Sequence, residues 1–166
     1  RRWVTKGVAH QFVLDALWET YPDARCVWTH RNPATMIVAS LGIISICNEG
    51  ICGDLDRHAF GADFTERAYA SIGHMLSQSW ANDPRAWHVR FAEFMTDQVG
   101  TVAAIYEGLG LAWTPEFEAA MRAWIADPAN RSDRHGKFNY RAEDFGLEAR
   151  NLAERFSDYS ERFLSA

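Results

Sequence analysis

The sequence predicts an α/β protein built on a parallel sheet, and three observations carry that expectation. Short β-prone runs recur at Trp3–Thr5, Cys26–Thr29 and Trp87–Phe91. The stretches between and after them place apolar residues at helical spacing. The first two strands are separated by one helix, a βαβ unit in which they should lie parallel, and the alternation of strand and helix continues to the third.

Taken in order, Trp3, Val4 and Thr5 form the first strand and Lys6-Gly7 breaks it. A helix follows from about Val8 to Tyr21, with Phe12, Val13, Ala16 and Leu17 on one face and Asp15 and Glu19 on the other, until Pro22-Asp23 ends it. Cys26–Thr29 is the second strand. Strand, helix and strand make a βαβ unit whose carboxyl ends share one edge, and Lys6 and Arg31 both leave strands there. Ligands of open α/β sheets bind at that edge.

Asn32-Pro33 is an N-cap followed by an N1 proline, so Arg31 stands at a helix mouth. Unpaired backbone N–H groups and the positive helix end favour an anion there, and a guanidinium adds a fork of donors suited to phosphate or sulfate. The competing reading is a solvated arginine in a surface ion pair.

Asn48 to Ala62, with Gly50, Gly53, Gly61, Asp54 and Asp56, reads as a mobile loop. Phe64 to Trp80 has helical spacing at Ala68, Ile72, Met75 and Leu76, closed by Asn82-Asp83-Pro84, and His74 on it reads as structural. The strand Trp87–Phe91 follows, then helices from Val99 to Leu109, from Pro115 to about Ala126 behind a Thr114 cap, and from about Leu147 to Phe163. No repeat or low-complexity segment divides residues 1–166, so one domain is expected.

With 166 residues, 48% of them apolar, a real core is expected, and a net charge of −5 argues against nucleic acid as a partner. No run of 18 apolar residues occurs, so no membrane span is expected. Cys26, Cys47 and Cys52 suit a reducing, cytoplasmic compartment, and their spacing with His58 matches no usual zinc pattern, so no metal site is expected. The opening Arg1-Arg2-Trp3 is neither a methionine start nor a signal peptide, which suggests that the chain begins mid-protein. One stretch inverts the acidic balance: Arg131 to Arg141 holds Arg131, Arg134, Lys137 and Arg141 against a single acid, Asp133. It reads as a polyanion-binding loop, or as a solvated basic loop pairing with Glu143 or Asp144.

An ordered series of motifs then resembles the bacterial PAPS-dependent sulfotransferases. It comprises Trp3-Val-Thr-Lys6 and His10, Leu14-Asp-Ala-Leu17, Tyr21-Pro-Asp-Ala-Arg25 and Thr29-His-Arg-Asn-Pro33, followed by Val99-Gly-Thr-Val, Ile105-Tyr, Leu109-Gly-Leu, Arg134-His-Gly, Glu143-Asp-Phe-Gly146 and Arg155-Phe with Tyr159 and Arg162-Phe. The resemblance covers nearly the whole chain. It implies the C-terminal portion of a P-loop-NTPase-like parallel sheet flanked by helices, incomplete here and helix-rich in its second half.

It further implies transfer of a sulfuryl group from PAPS to a hydroxyl or amine of a small-molecule or glycan acceptor, leaving adenosine 3′,5′-bisphosphate. Arg31 matches the arginine that holds the donor's 3′-phosphate; the partnering serine position is Ala39 here, with Ser40 one residue late. That shift turns a helical side chain by about 100°. Arg134, His135, Gly136 and Lys137 resemble the late loop that closes on the same phosphate, and Phe91 stands where relatives carry a tyrosine near the adenine. Lys6 suits the oxygens in flight and His10 the role of base. The glycine-rich turn that holds the 5′-phosphosulfate is not in this sequence, so the chain alone is expected not to turn over PAPS. Two readings compete: an ATP-dependent kinase-like transferase, which would need magnesium ligands, and a non-catalytic interaction domain retaining the fold. The acceptor pocket would draw on residues 48–62 and on Phe60, Phe64, Tyr69 and Trp80.

Overall fold

The computed structural model describes residues 3–7, 10–131, 134, 136 and 139–165. A 3-10 turn at His10–Phe12 leads into α1 (Leu14–Thr20), β1 (Cys26–His30), α2 (Pro33–Cys52) and α3 (Arg57–Ser77). A 3-10 turn at Ser79–Asn82 precedes β2 (Ala86–Arg90), α4 (Phe91–Thr96), α5 (Gln98–Gly108) and α6 (Pro115–Ala126). Further 3-10 turns at Pro128–Asn130 and Ala142–Phe145 precede α7 (Ala149–Arg155) and α8 (Ser157–Phe163).

The two strands pair in parallel, from Cys26 opposite Ala86 to His30 opposite Arg90. A parallel pair needs a long crossover, and α2 with α3 supplies it. The caps that start these helices are legible in the chain. Asn32 accepts from the Thr35 backbone N–H at 3.3 Å before Pro33, Asp56 from Ala59 at 3.0 Å, Asp97 from Gly100 at 2.8 Å, and Thr114 from Phe117 at 3.2 Å before Pro115.

Two apolar clusters hold these elements together. Leu14 and Trp18 of α1, Trp28 of β1, Met75 of α3 and Tyr159 of α8 form the first, on one face of the sheet. Ile37 and Leu41 of α2 pack with Phe145, Leu152 and Phe156 in the second. Gly61 of α3 lies so close to the Phe145 carbonyl that a β-carbon there would overlap it. That close approach lets α3 seat against the turn before α7.

Several expectations are corrected. Residues 3–7 form no strand, and Trp3 and Val4 are 95% and 93% exposed. A strand exists through its ladder, and β1 pairs with β2, so the expected pairing of residues 3–5 with β1 is absent among the described residues. The expected helix from Val8 divides into a 3-10 turn and α1, with Val8 and Ala9 outside the described residues. The loop expected over 48–62 shrinks to 53–56, because α2 runs through Gly50 to Cys52 and Asp56 caps α3 at once. Gly53, at φ 86°, is where α2 stops. The single closing helix is divided at the buried Phe156 into α7 and α8. The third expected strand is present as β2, one residue earlier than read, so that Phe91 opens α4.

By length and composition alone α2 would also suit a bilayer, although Ser40, Asn48 and Glu49 interrupt its apolar run. Its Ile37 and Leu41 are fully buried in the second cluster, whereas Met36, Ile43, Ile46 and Ile51 are exposed.

Candidate functional site

The site is built where β1 and β2 end side by side. His30 and Arg90 are the last paired residues, so Arg31 and Phe91 are the first past the sheet on neighbouring strands. The Arg31 guanidinium lies over the Phe91 ring, 4.8 Å from its centroid. Arg31 is exposed at the mouth of α2 and has no carboxylate ion-pair partner among the described residues. The positive helix end, the unengaged Ala34 N–H and a guanidinium without a carboxylate partner among the described residues thus meet at one spot.

Behind Arg31 the sheet carries a polar chain that is buried at His30 and Tyr159 and reaches the surface at His88. His30 is 1% exposed; its Nδ1 lies 2.7 Å from the Tyr159 hydroxyl and its Nε2 2.7 Å from Nδ1 of His88. Phe163 stacks on the His30 ring at 4.2 Å and 9°. Burial, reinforced by the neighbouring His88, lowers the His30 pKa to about 4. His88 is also lowered, by burial first and by the positive Arg162, against a hydrogen bond to the Ala81 backbone that raises it. Burial pushes the Tyr159 phenol up. Both rings are therefore neutral at neutral pH. With Tyr159 donating to His30 Nδ1 and His30 Nε2–H donating to His88 Nδ1, both contacts are satisfied without protonating either ring.

An open cleft of about 430 Å³ adjoins this chain, lined by His30, His88, Asn82, Arg90, Glu93, Arg162 and Phe163. Its arginines are engaged: Arg90 pairs with Glu93 at 3.0 Å and donates to the Ser165 carbonyl at 2.7 Å, and Arg162 donates to the Leu76 carbonyl at 2.9 Å and to Asn82 at 3.2 Å.

The other residues singled out from sequence fall as follows. Lys6 is exposed in the irregular opening stretch. His10 is half-buried, its ring against Gly7, where an added β-carbon would come within 3.1 Å of it. Ser40 is half-buried in α2, next to Ala39. Arg134 is exposed and donates to the Ala129 carbonyl, and Gly136 takes the left-handed backbone at φ 94°. His135 and Lys137 lie outside the described residues. Phe60 and Phe64 are half-buried against the second core cluster, and Tyr69 is exposed, with the Arg155 guanidinium 4.4 Å from its ring centroid. The side chain of Trp80 lies outside the description.

The structure therefore brings Arg31 to Phe91, and His10 to the backbone beside Lys6. Sequence reading missed His30, His88 and Tyr159 as a unit. A signal existed: Trp28 and His30, and His88 and Arg90, alternate onto one face of neighbouring strands, and a histidine just before Arg31 on a buried face calls for a partner.

The chain matches the sulfotransferase family over residues 1–115. Among solved structures it resembles sulfotransferase STF9 from Mycobacterium avium, at 27% identity and a TM-score of 0.80, over 97% of this chain and 41% of that one. It also resembles sulfotransferase STF1 from Mycobacterium tuberculosis H37Rv, at 29% identity and a TM-score of 0.73, over 95% and 40%. No curated protein matches it significantly. The chain thus spans about two-fifths of the length of these structures.

Proposed function

The chain belongs to the sulfotransferase family, and we propose that it supplies the 3′-phosphate side of a PAPS site together with part of an acceptor pocket. The observation that carries this reading is Arg31, held over Phe91 at the mouth of α2 with its charge uncompensated among the described residues. A phosphate there accepts from the guanidinium and from the Ala34 backbone N–H, which the Asn32 cap leaves unengaged beside an N1 proline that has no N–H. Phe91 gives the adenine a flat apolar partner. Ser40 and the loop with Arg134, His135, Gly136 and Lys137 are the proposed further contacts to the nucleotide, and the positive φ of Gly136 suits a loop that turns its backbone toward a ligand.

In the reaction we assign to it, an acceptor hydroxyl or amine attacks the sulfur in line. The bond from sulfur to the bridging oxygen breaks, and adenosine 3′,5′-bisphosphate leaves with the electron pair. Lys6 would stabilise the sulfuryl and bridging oxygens, and His10 would take the acceptor's proton. The acceptor is a small molecule or glycan rather than nucleic acid. The free thiols of Cys26, Cys47 and Cys52 are compatible with a reducing, cytoplasmic setting.

On this reading these 166 residues do not themselves supply the 5′-phosphosulfate side of the donor site, for want of a glycine-rich turn. The isolated chain should bind the bisphosphate product yet fail to turn over PAPS. Thermal unfolding with adenosine 3′,5′-bisphosphate or with Mg-ATP tests the reading: stabilisation by the bisphosphate supports it, whereas stabilisation by Mg-ATP alone favours a kinase-like transferase.

A further inference from the structure

The polar chain of Tyr159, His30 and His88, buried at its first two members and exposed at His88, has no part in the proposed chemistry, yet it lies directly behind the residue that does. His30 precedes Arg31 in the chain, and its ring is fixed from every side: Tyr159 and His88 hold its two nitrogens at 2.7 Å each, and Phe163 covers its face at 4.2 Å. Tyr159 and Phe163 both belong to α8, while His88 belongs to β2. Two separate elements, α8 and β2, therefore converge on one side chain at the end of β1.

Such an arrangement specifies register. His30 is paired with Arg90, two residues past His88, so the imidazole contact runs diagonally across the ladder. Sliding β1 by one residue would turn His30 to the opposite face and leave buried ring nitrogens without partners. The same register is what makes Arg31 and Phe91 equivalent positions past neighbouring strand ends, 4.8 Å apart. An apolar residue at position 30 would fill the space without excluding the slipped alternatives.

We propose that His30 is a positioning residue for Arg31, and that α8, through Tyr159 and with His88 of β2, fixes the angle at which the phosphate-binding arginine leaves the sheet. The nucleotide part of this proposal rests on the donor reading above; the placement of Arg31 does not. It makes the C-terminal helix a determinant of donor affinity, although Tyr159 touches no ligand.

The test follows two signals in the full chain and its variants: the dissociation constant for adenosine 3′,5′-bisphosphate, and the Nε–H resonance of Arg31 in nitrogen-15 correlation spectra without nucleotide. Tyr159→Phe and His88→Leu should each weaken nucleotide binding about tenfold and displace the Arg31 resonance. His88→Asn, whose amide oxygen can accept where Nδ1 does, should restore both. Leu152→Ala, a core truncation in the other cluster, should lower the melting temperature and leave both signals unchanged. If Tyr159→Phe and His88→Leu lower the melting temperature but leave both signals at their wild-type values, the polar chain is merely structural and the proposal fails. If the wild-type chain binds no bisphosphate, the donor reading falls. The Arg31 resonance then decides the positioning role: displacement in Tyr159→Phe upholds it and constancy overturns it.

Discussion

Arg31 and Phe91 face each other across the end of the sheet, guanidinium over ring at 4.8 Å, because each is the residue that follows the last paired position, His30 opposite Arg90. A guanidinium held over an aromatic face by its charge uses none of its N–H donors in that contact, so the contact can orient the arginine without using up its hydrogen bonds.

Removing that cation should remove the phosphate contact. Arg31→Ala is expected to weaken adenosine 3′,5′-bisphosphate binding by about 30-fold, corresponding to about 2 kcal/mol for a charge-assisted contact. Arg31→Lys should recover only part of it, since a point charge cannot make the forked contact. Isothermal titration of both variants at one fixed salt concentration checks this.

The aromatic partner separates stacking from hydrogen bonding. Phe91→Tyr should bind the nucleotide at least as well as the wild type, whereas Phe91→Ala should lose about three- to tenfold through lost stacking and a less ordered Arg31. Phe91 is half-buried, so a melting curve run beside the titration distinguishes lost affinity from lost folding.

Acid should destabilise the fold before carboxylates begin to titrate. The folded pKa of His30, about 4, lies below its ordinary 6.5, so the unfolded chain binds the extra proton between those values. The stability that the neutral ring contributes is complete above pH 6.5 and is lost as pH falls toward 4, a decline on the order of 2 kcal/mol by pH 5 and about 3 kcal/mol by pH 4. His88, lowered for the same leading reason, adds in the same direction. Urea unfolding at pH 7 and pH 5 should show the drop, and His30→Leu should flatten it; an unchanged midpoint in the wild type would contradict the neutral pair.

Close packing of α3 gives a prediction independent of ligand. Gly61→Ala places a β-carbon into the Phe145 carbonyl, a backbone atom that cannot swing aside, and is expected to cost about 2 kcal/mol or more. Gly73→Ala on the same helix meets nothing nearby and should be neutral or slightly stabilising. Parallel denaturant melts compare the two.

What was legible in the sequence was whatever local chemistry decides. Asn32-Pro33 and Thr114-Pro115 placed helix starts because a cap acts within one turn, and Arg31 at a helix mouth followed from the first of them. Pairing was not legible in the same way. Trp3–Thr5 has strand composition, yet a strand needs a partner, and which edge β1 offers is a property of the whole sheet. Gly50 and Gly53 together suggested a long loop, although a glycine inside an apolar helix costs only about 1 kcal/mol, which tertiary packing outweighs. The polar chain was hidden because Tyr159 lies 129 residues from His30 and no local pattern links them.

The central claim is recognition of a 3′-phosphate by Arg31, and the most direct measurement compares adenosine 3′,5′-bisphosphate with adenosine 5′-monophosphate, which differs by that phosphate alone. Titration into the wild-type chain should show the bisphosphate binding at least tenfold tighter, with the difference erased in Arg31→Ala. Equal affinity for the two nucleotides, or a preference that survives the loss of Arg31, would contradict it.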